Sequence, residues 1–227
     1  MPGLQRDGDV FVLDLGSDEN RFNGDSVAAI EACLDEVEAA AAPRAVVTTA
    51  SGKIWSNGLD LEWMGAHADE LGPFLHRLHG LFARLLGGGV PSVAALQGHT
   101  FAAGAMLALA HDVRVMRADR GFFCLPEVSI RIPFTPGMSA LIQARLTPQA
   151  AHEAMTTGRR YGGEDARAAG IVDHAVAEAD VVPRAVELAA ALAGNDPATL
   201  ATIKQRMYPG ALALLRDPQA TAFAPGA

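Results

Sequence analysis

Residues 91–127 constrain the fold of this chain more than any other stretch. An apolar, strand-forming run at 93–96 is stopped by Gln97-Gly98, and four small residues, Ala102-Ala103-Gly104-Ala105, then lead into a helix-like run at 106–110. Val113-Arg114-Val115-Met116 alternates as a strand, and an apolar run at 121–125 ends close to Glu127. Small side chains at a strand-to-helix junction let a ligand approach the backbone, and the first helical N–H groups point at whatever lies there. Such a junction suits a developing negative charge, with a carboxylate arriving from the same stretch. The same residues also suit a plain tight turn that packs a helix on a sheet, and the stretch alone does not separate the two.

The rest of the chain repeats this alternation. A strand at 10–15 ends at Gly16-Ser17-Asp18. Asp25 or Ser26 then caps a helix to about residue 40, with Val27, Ile30, Leu34 and Val37 at helical spacing. Residues 44–49 read as an apolar, β-branched strand. A second Gly-containing turn, 51–61 (SGKIWSNGLDL), follows it. A helix over 69–86 carries a wide apolar stripe from Leu71 to Leu85 and breaks at Gly87-Gly88-Gly89. Beyond Glu127, residues 130–136 are irregular and proline-rich. Helices are expected at 138–146, 148–156, 164–169, 181–193 and 197–207, with a strand at 171–175 and fraying from 212 to 227. Short strands alternating with helices predict an α/β arrangement.

Composition narrows the function. With 227 residues, half of them hydrophobic, the chain has ample material for a core. A net charge of −8 provides no basic field to offset phosphate charge, so nucleic acid is excluded as a partner. Local Arg, Lys and helix ends still permit an anionic ligand. Cys33 and Cys124 form neither a metal pattern nor a disulfide framework. His67, His76 and His79 fall on or beside a polar helix face, His99 and His111 read as turn and core residues, and no metal site is expected. No apolar run approaches ~18 residues, so no membrane span is expected. The polar start and the final Pro225-Gly226-Ala227, which is not a peroxisomal tripeptide, point to a cytoplasmic protein.

Three ordered motifs make the chain resemble the enoyl-CoA hydratase/isomerase (crotonase) family. The family's strand and Phe-x-x-Gly-x-Asp-Leu loop is matched by Trp55-Ser56-Asn57-Gly58-Leu59-Asp60-Leu61. Its Pro-x-(Val/Ile)-Ala-x-(Val/Ile/Leu)-x-Gly signature, with the turn and helix after it, is matched over 91–110. The third match is Ala166-Arg167-Ala168-Ala169-Gly170-Ile171-Val172-Asp173. The resemblance runs from near residue 20 to about residue 175. It implies a spiral of β-β-α repeats over 1–175. A helical region, 176–227, would then cover the site and build a homotrimer or a dimer of trimers.

The resemblance also implies a chemistry. Its oxyanion hole falls on the N–H groups of Leu59 and Ala103, which would hold a thioester carbonyl, with Ala103 where the family often has Gly. Family hydratases use two glutamates, whereas here the first position is Met106 and only the second, Glu127, is retained. A methionine neither activates water nor delivers a proton. Ile132-Pro133-Phe134-Thr135-Pro136-Gly137 is also bulkier than the hydratases' Gly-rich segment. One carboxylate in a drier pocket suits isomerisation of a 3-enoyl-CoA to a 2-enoyl-CoA, with Glu127 moving the proton from C2 to C4. Plant-type peroxisomal Δ3,Δ2-enoyl-CoA isomerases are similar through Ser56-Asn57-Gly58, Ala102-Ala103-Gly104, His111-Asp112 and Asp119-Arg120-Gly121.

Around the thioester the resemblance places Ser56, Asn57, Gly58, Asp60, Leu61 and Gly104, with Arg21 and Lys53 toward the CoA phosphates. Asn57 is first of all a turn former, and Asp60 is first of all the cap of a short helix starting at Leu61. No cofactor is implied beyond the CoA carried by an acyl-CoA substrate. Hydration, another enolate-forming reaction on a CoA thioester and a catalytically silent acyl-CoA binder stay as alternatives. A nucleophilic thioesterase would need a base beside Cys124 or Ser129, and the sequence offers none nearby.

Overall fold

The structure is a computed structural model that describes residues 1–223. Five strands are parallel: β2 (Val10–Asp14), β3 (Ala45–Thr49), β5 (Ser92–Leu96), β7 (Val113–Arg117) and β9 (His174–Val176). They share a sheet with β1 (Gly3–Asp7), antiparallel on β2, in the order β1-β2-β3-β5-β7-β9. A second, parallel sheet holds β4 (Ile54–Ser56), β6 (His99–Phe101) and β8 (Phe123–Cys124). Each repeat therefore sends one strand to the large sheet and the next to the small one, as β3 and β4, β5 and β6, then β7 and β8.

The large sheet is covered on both faces, which is why every residue of β3 and β5 is buried. Its side chains alternate. Ala45, Val47, Val93, Ala95 and Val115 pack on Ala185 and Ala189 of α9 (Val181–Leu192). Val46, Ala94, Leu96 and Met116 turn to the main core. There they meet α1 (Gly24–Ala39), α3 (Leu71–Gly87) and α4 (Ala103–Ala110). All eight residues of α4 are buried, so this short helix is an internal rod rather than a surface element. Its C-terminal end is held by side chains. Arg145 donates to the Leu109 and His111 carbonyls at 2.8 Å each, and His111 bridges Leu107 O and Thr48 Oγ1 at 2.8 Å each.

Several elements depart from the sequence reading. The polar segment 3–7 forms β1 because it needs only an edge, joined to β2 through a two-residue turn with Gly8 at φ 59°. The α1 cap is Asn23, in a reciprocal pair with Ser26, rather than Asp25 or Ser26. The short helix expected from Leu61 is α2 (Leu61–Ala66), capped by Asp60, whereas α5 (Glu127–Ile130) is a helical turn that the sequence reading did not include. Next come α6 (Pro136–Arg145), α7 (Pro148–Thr157), α8 (Gly163–Ala168) and α10 (Pro197–Met207).

The fraying expected over 212–227 is overturned up to residue 221, and residues 224–227 lie outside the described residues: α11 (Pro209–Arg216) packs on α3 and α6 with Leu212 and Leu215 buried. A 3-10 turn, Pro218–Thr221, continues along the same surface. Pro225-Gly226-Ala227 lies outside the described residues. Among the described residues no helix is long and apolar enough to cross a membrane. Lys204 of α10 is buried and donates to Leu85 O at 2.7 Å and Asp112 Oδ1 at 2.8 Å, which ties the helical region to the core.

Leu215 tests whether α11 is integral. Leu215→Ala should cost about 2–5 kcal/mol in urea denaturation. A loss within experimental error would mean that this helix is detached from the core.

Candidate active site

Two backbone turns meet at the end of the small sheet. In the first, Ser56 Oγ donates to Asn20 O at 2.8 Å and accepts from Gly58 N at 3.1 Å. Gly58 sits at φ 81°, and a Cβ there would lie 2.8 Å from Ala102 Cβ and 2.9 Å from Ala103 N. In the second turn, a Cβ on Gly104 would lie 2.7 Å from Ser56 Oγ. Glycine at these two positions is what lets the turns touch. Ala102, by contrast, carries a side chain at φ 52°, ψ −126°. Left-handed backbone of this kind costs an L-residue on the order of 1–2 kcal/mol. The strain of this turn thus sits at Ala102, one residue before the Ala103 that the family comparison had singled out. It is held by Ala102 N donating to Cys124 O at 3.0 Å and by Met106 N donating to Ala102 O at 3.1 Å.

The turns leave two donors free. Phe22 N donates to Gly58 O at 2.7 Å and Asp60 N donates to Phe22 O at 2.9 Å, which straddles the Leu59 N–H without using it. Ala103 N is in the first turn of α4. Neither N–H has an acceptor among the described residues, and both residues line a cavity of about 310 Å³.

Glu127 shares that cavity. It is the first residue of α5 and only 6% exposed, and its Oε2 is buried without a hydrogen-bond partner. Burial pushes its pKa up from the ordinary 4.5 to about 7, opposed in part by a hydrogen bond from its own backbone N–H. Met106, 1% exposed, forms another part of the lining, and the remaining wall is largely apolar, from Phe101, Ile130, Ile132, Pro133, Met138 and Phe223. The arrangement offers one base and two fixed dipoles in a pocket with little to hold water.

The residues singled out from sequence divide into three groups. Arg21, Asn57, Leu59, Leu61, Ala103 and Glu127 line the cavity. Arg21 is half-exposed and ion-paired with Glu19, Leu61 is 48% exposed, and Asn57 makes no hydrogen bond to Glu127. Ser56, Gly58 and Gly104 build the turns behind the lining. Asp60 is the cap of α2, accepting from Trp63 N at 3.1 Å, and is no lining residue. Lys53 lies apart, in a shallow depression with Gln97, Arg117 and Arg120.

His79 was assigned to a polar helix face but is fully buried, with Nε2 3.0 Å from Thr135 Oγ1. Burial lowers its pKa to about 4, so the ring is neutral and braces the Thr135 cap of α6. The lining also includes Phe101, Ile130, Met138 and Phe223, which sequence reading did not select. In a sequence their apolar side chains look like core. Asn20, likewise unselected, sits at φ 48° and its Nδ2 donates to the Ile54 and Trp55 carbonyls at 3.1 and 3.2 Å.

Residues 9–221 match the family model for enoyl-CoA hydratase/isomerase. Enoyl-CoA delta isomerase 2, peroxisomal, of Arabidopsis thaliana is 37% identical over 220 residues, which is 91% of each chain. Its peroxisomal location differs from the cytoplasmic one expected above for this chain. Carnitinyl-CoA dehydratase of Escherichia coli is 35% identical over 164 residues, covering 71% of this chain and 61% of that protein. Among solved structures, a Mycobacterium tuberculosis protein, called an enoyl-CoA isomerase in one structure and a probable enoyl-CoA hydratase in another, superposes with a TM-score of 0.88 at 27% identity, over 97% of this chain and 95% of that one. Human mitochondrial delta3-delta2-enoyl-CoA isomerase has the same fold, with a TM-score of 0.90 at 21% identity over 97% and 88% of the two chains.

The buried carboxylate has a signature in stability. Because folding raises the Glu127 pKa, the folded protein holds this proton more tightly than the unfolded chain. The contribution is fully present below about pH 4.5 and is lost as pH rises through about 7. Glu127→Gln should therefore gain stability relative to the unsubstituted protein between about pH 5 and about pH 8, read by urea denaturation. Parallel curves for the two proteins would show that the carboxylate is solvated or paired.

Proposed function

The chain belongs to the enoyl-CoA hydratase/isomerase family, and within it we propose that this protein is an isomerase that converts a 3-enoyl-CoA to a 2-enoyl-CoA. The observation that carries the reading is Glu127, whose buried Oε2 has no hydrogen-bond partner, as the only carboxylate among the described residues lining a largely apolar cavity. In this mechanism the thioester oxygen accepts hydrogen bonds from the Leu59 and Ala103 N–H groups. Glu127 takes the C2 proton, and the electron pair spreads over the dienolate onto the thioester oxygen. The protonated Glu127 then delivers the proton to C4, and the double bond closes between C2 and C3. Fixed donors aimed at a developing oxyanion are worth roughly 2.7–4 kcal/mol each, and the α4 N-terminus adds to the second. A base whose pKa is near 7 suits a proton that must be taken and returned at neutral pH.

Hydration would need a second group to handle water, and Met106 supplies none. The name of the Arabidopsis relative supports isomerisation over the dehydratase chemistry of the shorter Escherichia coli match. Arg21, at the cavity and free to leave Glu19, is the cation offered to a CoA phosphate, and Lys53, outside the cavity, is offered to the nucleotide end. CoA arrives as part of the substrate, and no separate cofactor enters the scheme.

Glu127→Gln keeps the size of the side chain but cannot accept the proton. Isomerisation should fall by roughly two to four powers of ten, while binding of a saturated acyl-CoA changes little. In the unsubstituted protein, kcat/KM should rise with pH through about 7 as the base ionises. Turnover of the variant near the original rate would assign the base elsewhere, and no turnover by either protein would favour a silent acyl-CoA binder.

For the assembly we infer a homotrimer, or a pair of trimers. It is supported by Ile203 and Met207 on α10 and Leu214 on α11, which are 50%, 60% and 37% exposed. Light scattering at micromolar concentration should give a multiple of three times 23.7 kDa, and a monomeric mass would refute it.

A further inference from the structure

We propose that Phe223 sets the longest acyl chain this cavity accepts, standing as a thin wall between the apolar side of the cavity and solvent. The proposal rests on the reading above for its choice of ligand, an acyl thioester of CoA. Glu127 and the two N–H groups fix where the first four acyl carbons lie. Carbons beyond them run along the apolar wall, which includes Met106, Ile132, Met138 and Phe223. Met106 and Met138 are 1% and 2% exposed and belong to the main core, so a longer chain cannot displace them without disrupting it. Phe223 and Ile132 are only half-buried, and of the two Phe223 is the one packed against the main core.

The position of Phe223 is set by the turn just before it. Ala220 and Thr221 are buried, Thr221 Oγ1 donates to Pro218 O at 2.9 Å, and Asp217 Oδ1 caps the turn by accepting from Gln219 N at 2.8 Å. This turn lies against α3 and α6. The segment is thus anchored up to Thr221 and presents the ring two residues later. Truncating the ring opens the cavity outward and leaves the core intact.

Each methylene an acyl chain buries tightens binding about fourfold, so a chain gains with length until it meets a wall. The test is a matched series of CoA thioesters in two-carbon steps. Kd is measured for saturated acyl-CoAs and kcat/KM for 3-enoyl-CoAs, with the unsubstituted protein, Phe223→Ala and Phe223→Trp. The unsubstituted protein should improve with length up to a break. Phe223→Ala should move the break to longer chains, with a gain of about tenfold or more in Kd at the first length beyond it. Phe223→Trp should move the break to shorter chains. One break shared by all three proteins would overturn the proposal, as would a change by the same factor at every length. The Kd series needs no turnover. A shifted break in Kd with no isomerisation would therefore uphold Phe223 and sink the isomerase reading, and binding without length dependence would sink Phe223.

Discussion

Two backbone turns in van der Waals contact hold this molecule's candidate site together. Gly58 leaves no room for a Cβ against Ala102 and Ala103, and Gly104 leaves none against Ser56. That contact sets the spacing of the Leu59 and Ala103 N–H groups, and the rest of the fold keeps the two turns from parting. Asn20 binds the first turn through the carbonyls of β4, while the second is the start of a helix buried along its whole length. Arg145 and His111 fasten the far end of that helix to β3 and to its own last carbonyls. Fixed donors of this kind need no reorganisation when charge develops, which is where their energetic value lies.

Two features at the same place work against stability. Ala102 is held in a backbone region that favours glycine, and Glu127 places a carboxylate where nothing solvates Oε2. Two other buried charges are paired: Lys204 meets Asp112, and Arg114 meets Asp173 and the Ile171 carbonyl. A buried carboxylate oxygen left unpaired in a cavity is the pattern expected where a pKa is being set for use. Met106 preserves that setting. A second carboxylate in its place would couple to the first and split their titrations.

Much of this was legible in the sequence because the physics involved is local. β3 and β5 are short apolar runs, α1 shows its buried face at helical spacing, and α10 begins on Pro197 and ends at Met207 as its pattern indicates. The Gly-containing turns and Glu127 were legible only through the resemblance to the family, because a glycine turn or a single glutamate is ambiguous by itself. What was hidden depends on tertiary context. β1 is polar on an edge, so it has no apolar signal to give. α11 starts at Pro209-Gly210, which reads as a break, and it is a helix only because Leu212 and Leu215 find α3 and α6. His79 is neutral because it is buried, and its ring partner is Thr135, 56 positions away. Lys53 precedes β4 while the cavity opens after it, so nearness in sequence to Asn57 does not bring it to the lining.

The complete burial of α4 has a further consequence, for how the molecule comes apart. Segments open independently of the whole when their hydrogen bonds are near solvent and their packing is sparse, and α4 has neither property. Its hydrogen-bonded amides, from Met106 onward, should therefore be among the slowest to exchange with deuterium, released only when the whole domain unfolds. The donor pair then has no private route to disorder, and warming should leave it intact up to the global transition. In most enzymes the working parts come from the loosest portion of the structure; here one half of the donor pair belongs to the last part to let go.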